Sequence, residues 1–373
     1  MESVKLLTRL AALLALGSAS AWAGSAPSQA GCGCGPFVVV AGGALVVLPT
    51  GDDDTASLQC AIDKAGQLGI TKLRLLKGAY RTGQLVANGF VGHIFGAGPD
   101  QTVVRNLPQP LYVTPVDFYL QPPGPQNPWP SLLAFVNGHF EVSDLAIRVV
   151  GTPTQGWSIF GIDPPIQALA QGVVIVGQHA DASFRNVLVQ GEALPEDLFG
   201  LNLINGIFYE GFIGSEPTPL AGSLTVRDAA FRRMVSGTPV VNLRNADVHI
   251  LRNRYQDVLY GAEVVDLDHT RYRLHGNDVS GEWYGLDQYD LCLGRSAVCG
   301  IHASVFSVSG NSFEGNGAYL EGTLGEAVAC RVLANDFAPD VTPDVYLGEH
   351  THDCLVVGTG DVVDLGVDNH VIP

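Results

Sequence analysis

The stretch Trp283-Tyr284-Gly285-Leu286-Asp287-Gln288-Tyr289-Asp290 gathers two phenols and two carboxylates. Groups of these types at this density supply the proton donors and acceptors of general acid–base catalysis. An ordinary tyrosine titrates near pH ~10, so Tyr289 needs strong tuning before it works as a base. Upstream, Asp268-His269 in VDLDHTRYRL pairs a carboxylate with an imidazole. Alternation along an outer strand also produces that pair, with Asp266 and Asp268 on one face. Arg252, Arg254, Arg271 and Arg273 are the cationic counterpart. They form a basic patch able to neutralise a substrate carboxylate, or they serve as a solvated strand face. Trp129, Trp157 and Trp283 lead a group of aromatics in loop-like segments, with Phe160, Phe199, Phe208, Tyr209 and Phe212. Sugar rings stack on such faces; the same rings also anchor long loops.

These residues are positioned by a repeat. LTVRDAAF (224–231), VHILRNRY (248–255), YRLHGNDV (272–279), FSVSGNSF (306–313), CRVLANDF (330–337) and CLVVGTGD (354–361) are variants of one segment. Asn253 to Asn277 is 24 residues, Asn277 to Asn311 is 34, Asn311 to Asn335 is 24, and Cys330 to Cys354 is 24. A period in the twenties with strand-type alternation predicts one unit stacked on itself, a β-solenoid. FEVSDLAI (140–147), SFRNVLV (183–189) and LTVRDAAF carry Asp144, Asn186 and Asp228 at intervals of 42, one coil plus 18 residues. The added residues start near Gly151, Gly191 and Trp283, so residues 151–171, 191–222 and 283–302 are expected to project from one flank.

The chain has 373 residues, 46% of them hydrophobic, only 15% charged, with 45 glycines. A solenoid of this length needs no division into globular domains. Residues 1–23 have the form of a secretory signal peptide: Lys5 and Arg9, the apolar Leu10–Leu16, then Ala21-Trp22-Ala23. The expected organisation is signal peptide 1–23, an N-terminal arm 24–48 and a single β-helix domain 49–373, exported as a monomer without a membrane span. Net charge is −17, which argues against nucleic acid and anionic membranes. Seven cysteines in an exported chain suggest disulfides. Cys292 and Cys299 are placed to staple one insertion, Cys330 and Cys354 to bond or stack between coils, and the Cys32/Cys34 arm to reach Cys60.

In GDDDTASLQCAIDKAG, Leu58, Ala61, Ile62 and Ala65 share one helical face. A helix over 55–65 is predicted, capped by Asp53 or Asp54 and laid across the open end of the solenoid. The three aspartates also admit a calcium reading; otherwise no cofactor or metal is expected. This region, with Lys77-Gly78-Ala79-Tyr80, Gly96-Ala97-Gly98 and Thr102-Val103-Val104, resembles the N-terminal part of the pectate-lyase-like superfamily of right-handed parallel β-helices. That resemblance implies a secreted, often glycan-active protein and carries no catalytic residue. The paired aspartates and Gly-His-Gly of polygalacturonase-like members are not visible.

The stretch 284–290 resembles the Tyr-Gly-Phe-Asp-Pro-His-Asp signature of mannuronan C5-epimerases. Tyr284, Gly285, Asp287 and Asp290 match; Leu286, Gln288 and Tyr289 replace the Phe, Pro and His. The resemblance implies acid–base chemistry at C5 of a uronate, with the family's histidine missing. The catalytic candidates are therefore Tyr284, Asp287, Tyr289, Asp290 and His269. The substrate-binding candidates are Trp129, Trp157, Trp283, Arg252 and Arg271, with an extended polysaccharide as partner. A non-catalytic surface or adhesion rod is the rival reading.

Overall fold

The computed structural model describes residues 32–108, 131–151, 156–157, 166–167, 170–191, 203–211, 222–289, 303–315, 317–320, 329–339 and 342–373. Within them the chain winds as a right-handed parallel β-helix, each strand pairing in parallel with its counterpart one coil on. Three sheets result. Sheet 1 stacks residues 85–88, 131–136, 172–177, 205–210, 236–244, 260–268, 284–289, 318–320, 345–347 and 362–364. Sheet 2 runs from 45–47 through 139–143, 223–227 and 271–275 to 370–372. Sheet 3 runs from 78–82 through 145–148 and 230–232 to 336–337.

Alternation decides which side chains enter the bore. The column Leu45, Leu73, Ile94, Val142, Phe184, Val226, Ile250, Leu274, Val308 and Val332 lines sheet 2, and its members are buried. Sheet 3 contributes Tyr80, Phe231, Tyr255 and Phe313; the rings of Phe231 and Tyr255 stack at 4.9 Å. Each coil thus buries a slice of apolar surface that one coil alone leaves exposed, which is why the repeats need each other.

The corner between sheets 2 and 3 fixes the register. One turn position is left-handed in coil after coil: Asp144, Asn186, Asp228, Arg252, Gly276, Gly310, Ala334 and Gly358 have φ between 50° and 79°. Short polar residues and glycine tolerate that region best. The next position holds the buried asparagines. Asn253 N–H donates to Asn277 Oδ1 at 2.8 Å, Asn277 N–H to Asn311 Oδ1 at 2.9 Å, and Asn311 N–H to Asn335 Oδ1 at 3.0 Å. Their Nδ2 atoms reach back to strand carbonyls, as from Asn277 to Ile250 O at 2.9 Å. The four asparagines form the expected column. The upstream anchors Asp144, Asn186 and Asp228 occupy the left-handed position one residue earlier, a shift that the spacing alone concealed.

The helix α1 (Thr55–Leu68) covers the N-terminal end with Leu58, Ala61, Ile62 and Ala65 facing inward. It runs past the expected stop, and Gly69 closes it in the left-handed conformation. Its capping differs from expectation. Asp54 makes no side-chain cap. Its carboxylate instead accepts from Thr50 N–H at 2.7 Å and Arg81 N–H at 3.1 Å, while Asp53 accepts from Thr55 N–H at 2.9 Å. Gln59 donates to Val86 O at 2.8 Å and accepts from Val86 N–H at 2.9 Å. A side-chain amide thereby pairs with the edge strand of the first coil, which would otherwise present free backbone groups. Cys34–Cys60 ties the arm to this helix, Cys330–Cys354 joins adjacent coils, and Cys32 is a buried free thiol. Cys292 and Cys299 lie outside the described residues.

The insertions depart from the single-flank expectation. Residues 109–130, 152–169 and 192–202 connect sheet 3 to sheet 1. Residues 212–221, 290–302 and 321–328 connect sheet 1 to sheet 2. Trp283 opens no loop, because Asp278–Tyr289 is one continuous strand and the extra residues follow it. Spacing alone cannot tell which of three corners an insertion occupies. Both corners used here border sheet 1.

Candidate functional site

Sheet 1 is the sheet that inserted segments border in sequence at both of its corners. Its backbone register brings Asp287 opposite Glu263, Tyr284 opposite Tyr260, and Tyr289 opposite Val265. Two of the catalytic candidates therefore stand in backbone register with an acidic and a phenolic residue one rung away, about 4.8 Å along the solenoid axis. Glu210 and Asn242 add a buried polar pair on the same sheet, Asn242 Nδ2 donating to Glu210 Oε1 at 2.6 Å. Asp290 and Trp129 lie outside the described residues. Trp157 sits in a two-residue strand, Gly156–Trp157, paired with Ile166–Gln167.

His269 occupies the corner where sheet 1 passes into sheet 2. Arg244 and Asp268 end paired strands and stand opposite each other, with Arg244 Nε 2.7 Å from Asp268 Oδ2. The contact is an ion pair and not an aligned hydrogen bond. Asp268 Oδ1 in turn holds His269 Nδ1 in a short contact. The imidazole is 62% exposed, while Asp268 is 15% and Arg244 18% exposed. A half-buried carboxylate fixed by an arginine orients a histidine whose other nitrogen faces solvent. With Nδ1–H donated to Asp268, Nε2 of the neutral ring carries the lone pair, the arrangement a general base requires. Sequence alternation explains where Asp268 stands but not this contact; the missed signal is Arg244, one 24-residue coil before Asp268.

The arginine candidates lie elsewhere. Arg252 stands in the turn between sheets 2 and 3, its guanidinium bonded to Asp228 at 2.8 and 3.0 Å, which raises its pKa. Arg271 begins a sheet 2 strand, 3.7 Å from Asp247, and Arg254 pairs with Asp278 at 3.4 Å. Each of these arginines has an acid on the neighbouring coil, and none shares a face with Asp287.

A second titratable cluster, which sequence reasoning missed, lies on sheet 2 in a trough of about 430 Å³ bordered by Lys72, His93, His139, Glu141 and Asp181. His93 Nε2 is 2.9 Å from Ser143 Oγ and 3.9 Å from Glu141. Arg185 bridges Glu141 at 3.2 Å and Asp144 at 3.4 Å. Burial raises the Asp144 carboxyl, but bonds from Ser143 and Asn186 and the Arg185 charge overcome it and hold it below the ordinary value. Burial lowers the His93 pKa, against the pull of Glu141. A histidine whose folded pKa is depressed binds fewer protons in the folded state, so its contribution is fully present above the unfolded value of 6.5 and is lost as pH falls below it. The urea midpoint is expected to drop between pH ~7.5 and ~5.5, and by less in His93→Gln; an identical drop in both proteins would show that His93 does not titrate in this window.

Among the described residues no three His, Cys, Asp or Glu side chains converge as metal ligands. No helix there is long and apolar enough to cross a membrane.

Three sheets per coil, an asparagine column at the second corner and a helix over the N-terminal end decide the architecture. Its fold is a right-handed parallel β-helix. No family model matches this chain, and no curated protein matches it in sequence. Solved structures are similar in fold. Tailspike protein 2 of an Escherichia coli O157:H7 bacteriophage is 10% identical with a TM-score of 0.46 over 85% of this chain, which spans only 35% of the tailspike. The A-module of the Azotobacter vinelandii mannuronan C-5 epimerase AlgE6 is 14% identical with a TM-score of 0.45, covering 87% of this chain and 92% of the module. A polygalacturonase from Erwinia carotovora is 10% identical with a TM-score of 0.37, covering 90% and 99%. Likeness at this level is likeness of the solenoid, so function rests on the site.

Proposed function

We propose that this chain is an exported protein that binds an extended polysaccharide along the outer face of sheet 1 and acts on a uronate unit there. The observation that carries this reading is the Arg244–Asp268–His269 relay at the rim of sheet 1. Uronate chemistry begins with removal of the C5 proton, made acidic by the neighbouring carboxylate once its charge is neutralised. His269 Nε2 is the proposed base and Arg244 the nearby cation; Tyr284 stands opposite Tyr260, nine residues of extended strand before His269, and has no part in this proton transfer. In β-elimination the C5–H electrons form the C4=C5 bond, the C4–O bond breaks, and the leaving oxygen takes a proton from water at this exposed rim. In epimerisation the proton returns to C5 from the opposite face. Asp287 and Glu263, in register on neighbouring coils, are proposed to hold sugar hydroxyls. Trp129, Trp157 and Trp283 are proposed to stack on sugar rings, and Asp290 and Tyr289 to complete the acid–base set.

Purified protein incubated with alginate, with pectate and with neutral glycans tests this. The expected result is unsaturated product absorbing in the ultraviolet, or epimerised residues by NMR, with one or both uronans and neither with neutral glycans. Binding without any product favours the rival adhesion rod, and no binding to any uronan overturns the reading. No cofactor is required; a calcium requirement would appear as loss of activity with a chelator.

A further inference from the structure

The outer side of sheet 2 carries His249, Arg273, Ser307 and Arg331 in direct register on four successive rungs. Arg273 and Arg331 are exposed, and Ser307 between them is half-buried. The two arginines stand two rungs apart, about 9.6 Å along the axis. This chain has 37 acidic and 20 basic residues, and an acid of the neighbouring coil meets each of Arg185, Arg244, Arg252, Arg254 and Arg271. Arg273 and Arg331 have neither an ion pair nor a hydrogen bond from their side chains among the described residues. The acids bordering this stretch are engaged elsewhere: Asp247 lies 3.7 Å from Arg271, and Asp353 contacts His352 at 2.8 Å. Beside Ser307 and Arg331 on the same face stand Val305, Ser309, Ala329 and Leu333, none of them acidic. Two long, uncompensated cations therefore flank one short hydroxyl.

We infer that Arg273, Ser307 and Arg331 bind a terminal phosphate group, carried by free phosphate or by a lipid headgroup. Serine is the short member of the row, so the space above it lies between two guanidinium forks. Charge-assisted bonds from such forks to an oxyanion run ~2.7–2.9 Å. A tetrahedral oxyanion between them takes bonds from both sides and keeps an oxygen for the Ser307 hydroxyl. A carboxylate has two oxygens in one plane, so it fills one fork and leaves the second cation uncompensated. A neutral hydroxylated ligand compensates neither. Binding breaks no internal bond of either arginine, and their exposure leaves the row open to a phosphate held on a larger molecule. The overall charge of −17 does not forbid this, because charges beyond ~10 Å are largely screened at 0.1 M salt and the local cations decide. The site lies on sheet 2, past the corner that holds His269, and does not rest on the polysaccharide reading.

Isothermal titration of the full chain with inorganic phosphate at low ionic strength tests it. Saturable binding at one site, weakened by added salt, is expected. Arg273→Gln/Arg331→Gln is expected to weaken that binding about tenfold or more, since it removes charge-assisted bonds. Arg81→Gln/Arg105→Gln, the same charge change on sheet 3, is expected to leave it intact. Ser307→Asp sets a carboxylate between the two arginines, so it should abolish phosphate binding while raising the thermal midpoint. Should the arginine pair unfold, Ser307→Asp still decides. The inference is overturned by an absence of saturable phosphate binding or by equal loss in the two arginine pairs. Acetate that competes as well as phosphate also overturns it, as does parental phosphate binding in Ser307→Asp. Sedimentation with vesicles containing phosphatidic acid, and not with phosphatidylcholine alone, would assign the lipid source; titration without sedimentation would assign free phosphate, and both results uphold the site. His269→Ala should keep full phosphate binding, so failure of the catalytic proposal leaves this test standing.

Discussion

Asn311→Ala is expected to lower unfolding stability by about 3 kcal/mol, the cost of leaving at least two buried groups unpaired. Asn311 is 1% exposed. Its Oδ1 accepts from Asn277 N–H and from Asn277 Nδ2, both at 2.9 Å. Its Nδ2 donates to Leu274 O at 3.1 Å and to Asn335 Oδ1 at 2.9 Å. Alanine removes every one of these bonds from a corner that water does not reach. The cavity is small, so lost hydrogen bonding dominates lost packing. Coils contact only their neighbours, so the loss falls locally, and hydrogen exchange should rise first around residues 272–313. Arg252→Ala, beside the same corner, removes an exposed pair with Asp228 and should leave the urea midpoint unchanged. An Asn311→Ala midpoint shift no larger than that of Arg252→Ala would show that the column follows the register without fixing it.

The contrast shows what the sequence makes legible. The 24-residue spacing of Asn253, Asn277, Asn311 and Asn335 is visible because buried side-chain amides accept no substitute that still satisfies two coils. The left-handed turn position beside them is nearly illegible. It accepts Asp, Asn, Arg, Gly and Ala, since its side chains point to solvent and only the backbone is constrained. Insertions carry no mark of which corner they leave, so the phase argument put Trp283 at a loop start where the strand Asp278–Tyr289 runs through it. The site follows the same logic. Asp268-His269 looks like ordinary alternation until the register sets Arg244 beside it. The His93–Glu141–Arg185 cluster on sheet 2 escaped notice because inserted residues separate its members in the chain, and only the register brings them together.

The other large effect concerns His269. His269→Ala is expected to reduce uronate turnover by about 10²-fold or more, the usual contribution of a positioned general base. The imidazole is 62% exposed at a corner, so thermal stability should stay close to that of the parent. Tyr284→Phe is expected to leave turnover near that of the parent, because position 284 lies opposite Tyr260, nine residues of extended strand before His269. Asp268→Asn separates orientation from the base itself: the histidine stays, but its Nδ1–H loses the carboxylate that fixes the tautomer, and turnover should fall by less than in His269→Ala. Glycan binding measured without turnover should survive all of these changes. A loss of that size in Tyr284→Phe would move the chemistry to the start of the strand. Full activity in both His269→Ala and Tyr284→Phe would place the chemistry off sheet 1, and the His93–Glu141–Arg185 cluster on sheet 2 would become the next face to test.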